Sequence, residues 1–125
     1  MEKIAAKNAP EAIGPYSQAV KHNGLVFTAG QIALNPKTNQ MTEENIADQA
    51  KQVLENLKAV LEAAGSSLDD AIKVNVYLKD ISDFQTMNEI YAQYIKNKPA
   101  RATIQAAKLP KNALIEMDVI AKVRD

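Results

Sequence analysis

The sequence predicts an α+β fold in which two helices cover one face of a mixed β-sheet. Two segments carry apolar residues at three- and four-residue spacing, which is typical of helices with one buried face. An Asn-Gly dipeptide lies between two short apolar segments and indicates a β-hairpin. Three later segments have the composition of strands, so the predicted order is strand, strand, helix, strand, helix, strand, strand in one domain over residues 1–125.

The first two strands flank the Asn23-Gly24 dipeptide, with Val20 before it and Leu25 and Phe27 after it. Asn and Gly tolerate the positive φ that a two-residue hairpin turn requires. His22, the one histidine of the chain, borders this turn and is interpreted as a solvated loop residue.

The first helix is predicted over residues 42–65. It starts at Thr42, carries Glu43 and Glu44 at the positive end of the helix dipole, and ends at Gly65, a typical left-handed cap. Its apolar stripe consists of Ile46, Ala50, Val53, Leu54, Leu57, Val60, Leu61 and Ala64.

The second helix is predicted to begin at Ser82, because Ser82 and Gln85 have the spacing of a capping box. It ends before Lys98-Pro99, since proline disfavours helical backbone in the residue that precedes it. Its apolar residues are Met87, Ile90, Tyr91, Tyr94 and Ile95. Both helices have one apolar side and therefore need a sheet to cover.

Three strands accompany the helices. One lies between them, and strands over residues 102–107 and 113–123 follow the second helix. In the strand between the helices, alternation predicts that one face carries Ile72, Val74, Val76 and Leu78 and the other Lys73, Asn75, Tyr77 and Lys79.

The last strand has two different faces. Its odd positions over residues 113–123 are all apolar and suit the helix-covered core, whereas its even positions mix Leu114 and Ile120 with Glu116 and Asp118. Such a mixture is typical neither of a core nor of a solvated surface. We interpret it as a face that meets another copy of the chain and leaves a polar pocket at the contact. A half-exposed sheet on a monomer is the alternative.

The composition limits the classes of function. Fifteen basic and fifteen acidic residues give zero net charge, so no overall field draws the chain to nucleic acid or an anionic membrane. The lack of cysteine excludes disulfides, thiolate metal sites and a Cys nucleophile. No apolar stretch has the length of a signal peptide or a membrane span, and the expected location is the cytoplasm.

Arg101 is the first candidate functional residue. The chain has thirteen lysines and two arginines, and the other arginine, Arg124, lies one residue from the end. A guanidinium group binds a carboxylate through two parallel hydrogen bonds, which an ammonium group does not do. Arg101 therefore suggests a clamp for a small acid, with a surface or interface ion pair as the alternative.

Five blocks of the sequence, in order and over essentially the whole chain, resemble the RidA/YjgF family of reactive intermediate deaminases. The blocks are residues 12–19 (AIGPYSQA), 29–32 (AGQI), 56–65 (NLKAVLEAAG), 98–103 (KPARAT) and 109–116 (LPKNALIE). The resemblance implies a chorismate-mutase-like fold assembled as a homotrimer with clefts between subunits. It also implies a 2-iminobutanoate/2-iminopropanoate deaminase, which hydrolyses 2-imino acids, the products of pyridoxal-phosphate dehydratases, to 2-keto acids and ammonia.

Carried over residue by residue, the resemblance implies that Arg101 binds the substrate carboxylate and that Glu116 positions the attacking water. Many members of the family have cysteine where this chain has Thr103. Because the resemblance assigns that position mainly a backbone contact, we expect activity to survive the difference. The chemistry needs no metal or other cofactor. The implied substrate-binding residues are Tyr16, Gly30, Asn88 and Thr103.

Structural roles for these residues stay open. Tyr16 fits a packing role, Asn88 fits a helix-capping role, and Glu116 has Lys108 and Lys122 as possible ion-pair partners. Two other functions are also open: a small-acid-binding module that regulates a protein partner, and an endoribonuclease or translation inhibitor. Zero net charge and a single histidine argue against the last, and the presence of both Arg101 and Glu116 favours the hydrolase over the sensor.

Overall fold

Six strands, two α-helices and three short 3₁₀ turns make up the computed structural model, which describes residues 1–124. Asp125, the last residue of the predicted domain, lies outside the described residues. The elements are β1 (Glu2–Ile4), β2 (Ala19–His22), β3 (Leu25–Thr28), α1 (Ile46–Ala63), β4 (Ala71–Leu78), α2 (Phe84–Tyr94), β5 (Ala100–Gln105) and β6 (Ile115–Lys122), with 3₁₀ turns at Leu68–Asp70, Ile81–Asp83 and Pro110–Asn112.

The strands form one mixed sheet in the order β1-β2-β3-β6-β4-β5. Strands β4 and β5 are parallel and are joined through α2, whereas the other neighbouring pairs are antiparallel. Strand β5 lies at an edge of the sheet, so one side of its backbone has no partner strand among residues 1–124.

Both helices pack on the same face of the sheet, as the sequence predicts. The apolar stripe of α1 meets the odd positions of β6, and Leu54, Leu57, Ile115 and Met117 have no solvent exposure. The predicted hairpin is also confirmed, because Asn23 and Gly24 have φ values of 52° and 78°. His22 is exposed, but it is the last residue of β2 and not part of the turn.

The start of α1 differs from the prediction. The helix begins at Ile46, after Asn45, whose side chain accepts a hydrogen bond from the Asp48 backbone N–H at 2.9 Å. The prediction of a start at Thr42 is wrong, because residues 42–45 are not helical, and the Thr42 backbone N–H pairs with the carbonyl of Ala33 in the preceding loop. Asn45 is the better cap, since its extended backbone presents the amide oxygen to the first turn.

The prediction for Ile72 is wrong as well. A bulge between Ala71 and Lys73 interrupts the pairing of β4 with β6. As a result Ala71 occupies the buried position, and the Ile72 side chain is 48% exposed. Alternation resumes at Val74, so the rest of the strand has the predicted faces.

The remaining boundaries shift by a few residues. A 3₁₀ turn at Ile81–Asp83, capped by the Asp80 side chain, precedes α2, so the helix begins at Phe84 and not at the predicted Ser82. Strand β5 begins at Ala100, since parallel pairing with β4 starts there. Strand β6 is shorter at its start than predicted, because the chain turns at Pro110–Asn112 before pairing resumes.

Candidate functional site

Arg101 and Glu116 lie on opposite faces of the sheet. In the parallel register Arg101 pairs with Val74, whose fully buried side chain faces the helices. Glu116 lies between the buried Ile115 and Met117, and therefore points to the face that no helix covers. We call this second face the open face. Strand β4 separates the two strands that carry Arg101 and Glu116.

Glu116 borders a cavity on the open face of about 390 Å³. Tyr16, which is 55% exposed, lines the same cavity. The residues that form its wall include Pro10, Ile13, Tyr16, Gly30, Lys111 and Glu116. The walls come from four parts of the chain, namely the segment before β2, the segment after β3, the turn before β6 and β6 itself.

Gly30 leaves room for the Glu116 carboxylate. A Cβ atom at position 30 would overlap a carboxylate oxygen of Glu116 and lie 2.8 Å from its carboxyl carbon. The absence of a side chain therefore lets the carboxylate lie against the backbone at Gly30. Burial raises the pKa of Glu116 above its usual range, and the negative charge of Asp118 adds to this effect. A raised pKa makes the carboxylate a stronger base near neutral pH.

Arg101 packs on two aromatic rings at the other face. Its guanidinium carbon lies 4.8 Å from the ring centroid of Tyr91 and 5.4 Å from that of Phe84, which are distances of cation–π contacts. Within residues 1–124 the ion pairs are Lys21–Glu2 and Arg124–Asp70. Arg101 thus has no carboxylate partner in the described part of its own chain.

Three buried polar atoms without a hydrogen-bond partner among residues 1–124 belong to the surroundings of Arg101: Asn88 Oδ1, Tyr91 Oη and Thr103 Oγ1. Thr103 shares the helix-covered face of β5 with Arg101, and Asn88 precedes Tyr91 by one turn of α2. Buried polar groups are rarely left unpaired in proteins. This side of β5 therefore has unused hydrogen-bonding capacity next to a cation.

The residues singled out in the sequence thus form two groups in one chain. Tyr16, Gly30 and Glu116 share the cavity on the open face, and the cavity wall does not include Arg101, Asn88 or Thr103. No ion pair joins Glu116 to a lysine within residues 1–124. In the same part of the chain no three His, Asp or Glu side chains are grouped as metal ligands.

Sequence reasoning missed Phe84 and Tyr91 as neighbours of Arg101. The available signal is their spacing with Asn88, because positions 84, 88 and 91 lie on one side of α2. From the sequence, Tyr91 is assigned to the apolar side of the helix and Asn88 to the substrate-binding residues, but neither is connected with Phe84 or Arg101. Over the described residues no helix is long and apolar enough to cross a membrane.

Comparison with known proteins gives matches over nearly the whole chain. The family model described as Endoribonuclease L-PSP matches residues 6–123. A RutC family protein from Pyrococcus horikoshii is 55% identical, with 96% of each chain covered. The human protein named 2-iminobutanoate/2-iminopropanoate deaminase is 46% identical over 94% of this chain and 87% of its own. The crystal structure of E. coli TdcF with bound serine superposes with a TM-score of 0.93 at 42% identity, and covers 100% of both chains.

Proposed function

Because the chain belongs to the Endoribonuclease L-PSP family, which is the RidA/YjgF family, we propose that it hydrolyses 2-imino acids to 2-keto acids and ammonia. The substrates would be the short enamine and imine products of pyridoxal-phosphate dehydratases, such as 2-iminobutanoate and 2-iminopropanoate. The name of the human relative supports this reaction class. The serine bound to TdcF is a small molecule with a carboxylate, and supports a site for small acids.

The observation that carries the proposal is that the Arg101 guanidinium group is packed in place but not paired with an acid. Its guanidinium group is held on Tyr91 and Phe84 and has no acidic partner within residues 1–124. A guanidinium group that is oriented but unpaired can bind a substrate carboxylate through two parallel hydrogen bonds. Such a clamp fixes the substrate relative to the attacking water, which lowers the entropic part of the barrier.

Glu116 supplies the acid–base function in this proposal. In the first step the water oxygen bonds to the imine carbon, the π electrons of the C=N bond move to nitrogen, and Glu116 transfers the water proton to that nitrogen. In the second step the C–N bond of the resulting carbinolamine breaks and ammonia leaves. Glu116 moves the hydroxyl proton to the departing nitrogen as the carbonyl forms. Positioned groups of this kind accelerate proton transfer by about 10²- to 10⁴-fold.

We further propose that the complete site forms between copies of the chain in a homotrimer. Arg101 and Glu116 face opposite sides of one sheet, so a single substrate can meet both only if a second copy supplies one of them. The exposed apolar side chains of Phe27 and Ile104, 40% and 52% accessible, support an association surface. The unpaired edge of β5 brings Arg101 to the rim where a second copy would dock. The predicted cytoplasmic location stays a prediction.

A coupled assay tests the activity. Serine or threonine dehydratase generates the imino acid, semicarbazide competes for it, and the protein is expected to increase the rate of keto acid release. Light scattering is expected to give about three times the 13.7 kDa mass of one chain. Unchanged keto acid release together with tight 2-keto acid binding would favour the regulatory module. Cleavage of RNA by the purified protein would favour the endoribonuclease.

A further inference from the structure

We propose that Asp118 is a positioning residue for the reaction proposed above, a fixed negative charge that Asn75 and Tyr77 hold on the open face beside Glu116. The inference rests on the proposed function for its catalytic meaning. The effect of the Asp118 charge on the titration of Glu116 does not depend on that function and can be measured without substrate.

The three residues and Glu116 form a square on two neighbouring strands. In the register of β4 with β6, Tyr77 lies opposite Glu116 and Asn75 lies opposite Asp118. All four side chains point to the open face, because the residues between them along each strand are buried. The square therefore places two carboxyl groups next to each other along β6.

The hydrogen bonds within this square are distributed unequally. Asn75 Nδ2 donates to Asp118 Oδ1 at 2.8 Å, and Tyr77 Oη donates to Asp118 Oδ2 at 3.0 Å. Tyr77 thus reaches diagonally to Asp118, although Glu116 is its direct cross-strand neighbour. Glu116 receives no hydrogen bond from residues 1–124. The two donors thus hold the Asp118 carboxyl group in place, whereas the Glu116 carboxyl group stays free to bind water or substrate.

Other charged or titratable groups face Glu116 from each element around it. Glu11 and Tyr16 come from the segment before β2, Lys111 from the turn before β6, and Tyr77 from β4. Burial raises the pKa of Glu116 most, and the negative charge of Asp118 raises it further. Burial and the hydrogen bond to Asp118 raise the pKa of Tyr77, which therefore stays a neutral donor.

This arrangement gives the two carboxyl groups separate roles. A fixed charge close to Glu116 makes its ionised form less favourable, so Glu116 takes up a proton at a higher pH than it otherwise would. A base with a pKa closer to the working pH transfers protons more effectively.

The test is a carbon-13 NMR titration of the Glu116 carboxyl group in the assembled protein, assigned from the signal that Glu116→Gln removes. Asp118→Asn removes the charge at nearly constant size and is expected to lower the titration midpoint by about 0.3 to 1 pH unit. Asp69→Asn, an exposed control outside the square, is expected to leave the midpoint unchanged. The low-pH limb of kcat/KM for imino acid hydrolysis is expected to move with the midpoint.

Two further variants separate charge from packing. Tyr77→Phe removes one hydrogen bond but keeps both carboxyl groups, and is expected to shift the midpoint much less than Asp118→Asn. Asp118→Ser provides a second neutral side chain if the Asn variant does not fold. An unchanged midpoint in either neutral variant, or an equal downward shift in Tyr77→Phe, would overturn the proposal. If the midpoint falls as expected but the parent protein does not hydrolyse imino acids, the proposed function fails and the electrostatic effect of Asp118 stands.

Discussion

The two arginines of the chain have different surroundings. Arg124 donates to Asp70 at 2.6 Å and to Ser67 at 3.0 Å, and thereby ties the end of the chain to the turn after α1. Arg101 lies instead on the faces of Tyr91 and Phe84. Flat packing of this kind suits a planar guanidinium group and leaves its N–H donors available at the edge.

Arg101→Lys is expected to keep the positive charge and lose most of the activity. A lysine ammonium group is a point charge, and it reproduces neither the two parallel hydrogen bonds nor the stacked geometry. Loss of a charge-assisted hydrogen bond at the transition state predicts a decrease of about ten- to hundred-fold in kcat/KM. Steady-state kinetics measures the loss, and light scattering checks that the oligomer is intact. Parental kcat/KM in an intact oligomer would contradict the clamp.

Glu116→Gln is expected to slow turnover by about 10²-fold or more, because the amide keeps the size of the side chain and has no basicity. In the parent protein the rate should fall as the pH decreases through the pKa of Glu116, since the protonated carboxyl cannot accept the water proton. The midpoint of this low-pH limb should lie above 4.5, the ordinary pKa of a glutamate, because burial and Asp118 raise the pKa of Glu116. The limb should disappear from the pH profile of the Gln variant. If the low-pH limb persisted in Glu116→Gln, the loss of rate would come from the titration of another group.

Gly30→Ala is expected to reduce activity while the fold is kept. The added methyl group would overlap the end of the Glu116 side chain, which is flexible enough to move away. The displaced carboxylate would no longer hold the water, so kcat should fall with little change in melting temperature. The double variant with Glu116→Gln provides the control, because it should be no slower than Glu116→Gln alone. Additive losses would show that Gly30 acts independently of Glu116.

At the scale of elements, buried amide side chains hold the loops around the Glu116 cavity. Gln18 binds the backbone of Ala6 and Pro10 through both ends of its amide. Asn56 on α1 donates to the carbonyls of Ile32 and Leu34. Pro10, Ile32 and Leu34 all line the cavity. The shape of the cavity thus depends on side chains that do not themselves lie at its chemical centre.

Gln18→Ala is expected to destabilise the segment over residues 5–10 and the cavity wall with it. The amide is 4% exposed and its loss leaves backbone groups of Ala6 and Pro10 unpaired. The expected decrease in the free energy of unfolding is about 2 to 3 kcal/mol, from two to three lost hydrogen bonds. Urea denaturation measures it. Gln93→Ala, at an exposed position of α2, is the control and should be neutral. Equal stability of both variants would mean that the Gln18 hydrogen bonds contribute little.

Patterns within single elements made most of the fold predictable. Helical spacing and strand alternation gave both helices and the two faces of β6, and the lysine bias of the chain drew attention to Arg101. The sequence did not predict β1, which is three residues long and shows no alternation. It also did not predict the bulge at Ile72, because a bulge depends on the partner strand and not on local composition.

The separation of Arg101 from Glu116 was not predictable from local pattern either. The face that Arg101 occupies is set by the parallel register of β5 with β4, and a register is a relation between two strands that the local pattern of one strand does not contain. The buried amides of Gln18 and Asn56 were missed for a similar reason, since an amide side chain is ordinarily solvated. The functional roles of Arg101, Glu116 and the four substrate-binding candidates stay predictions, which the variants above test.

At the scale of the whole molecule, the sheet separates the two halves of the proposed site, which we call half-sites. One chain presents an oriented cation at the rim of β5 on the helix-covered face. The same chain presents a proton acceptor in a cavity on the open face. In a closed ring of identical copies, each Arg101 half-site would meet the Glu116 half-site of a neighbouring copy in the same way.

If Arg101 and Glu116 of one site come from two different copies, two defective forms of the chain can complement each other. Arg101→Ala and Glu116→Gln should each be strongly impaired alone, yet chains of the two kinds assembled together should recover part of the parental activity. In a trimer that contains both kinds of chain, about one third of the sites would combine an intact arginine from one chain with an intact glutamate from the next. Co-expression with two affinity tags isolates the mixed oligomers, and pairing Glu116→Gln with the double variant is the inactive control. No recovery in verified mixed trimers would place both residues in a site within one chain. If activity does return, two alleles of this gene that are each defective can complement one another, because each supplies the half-site that the other lacks.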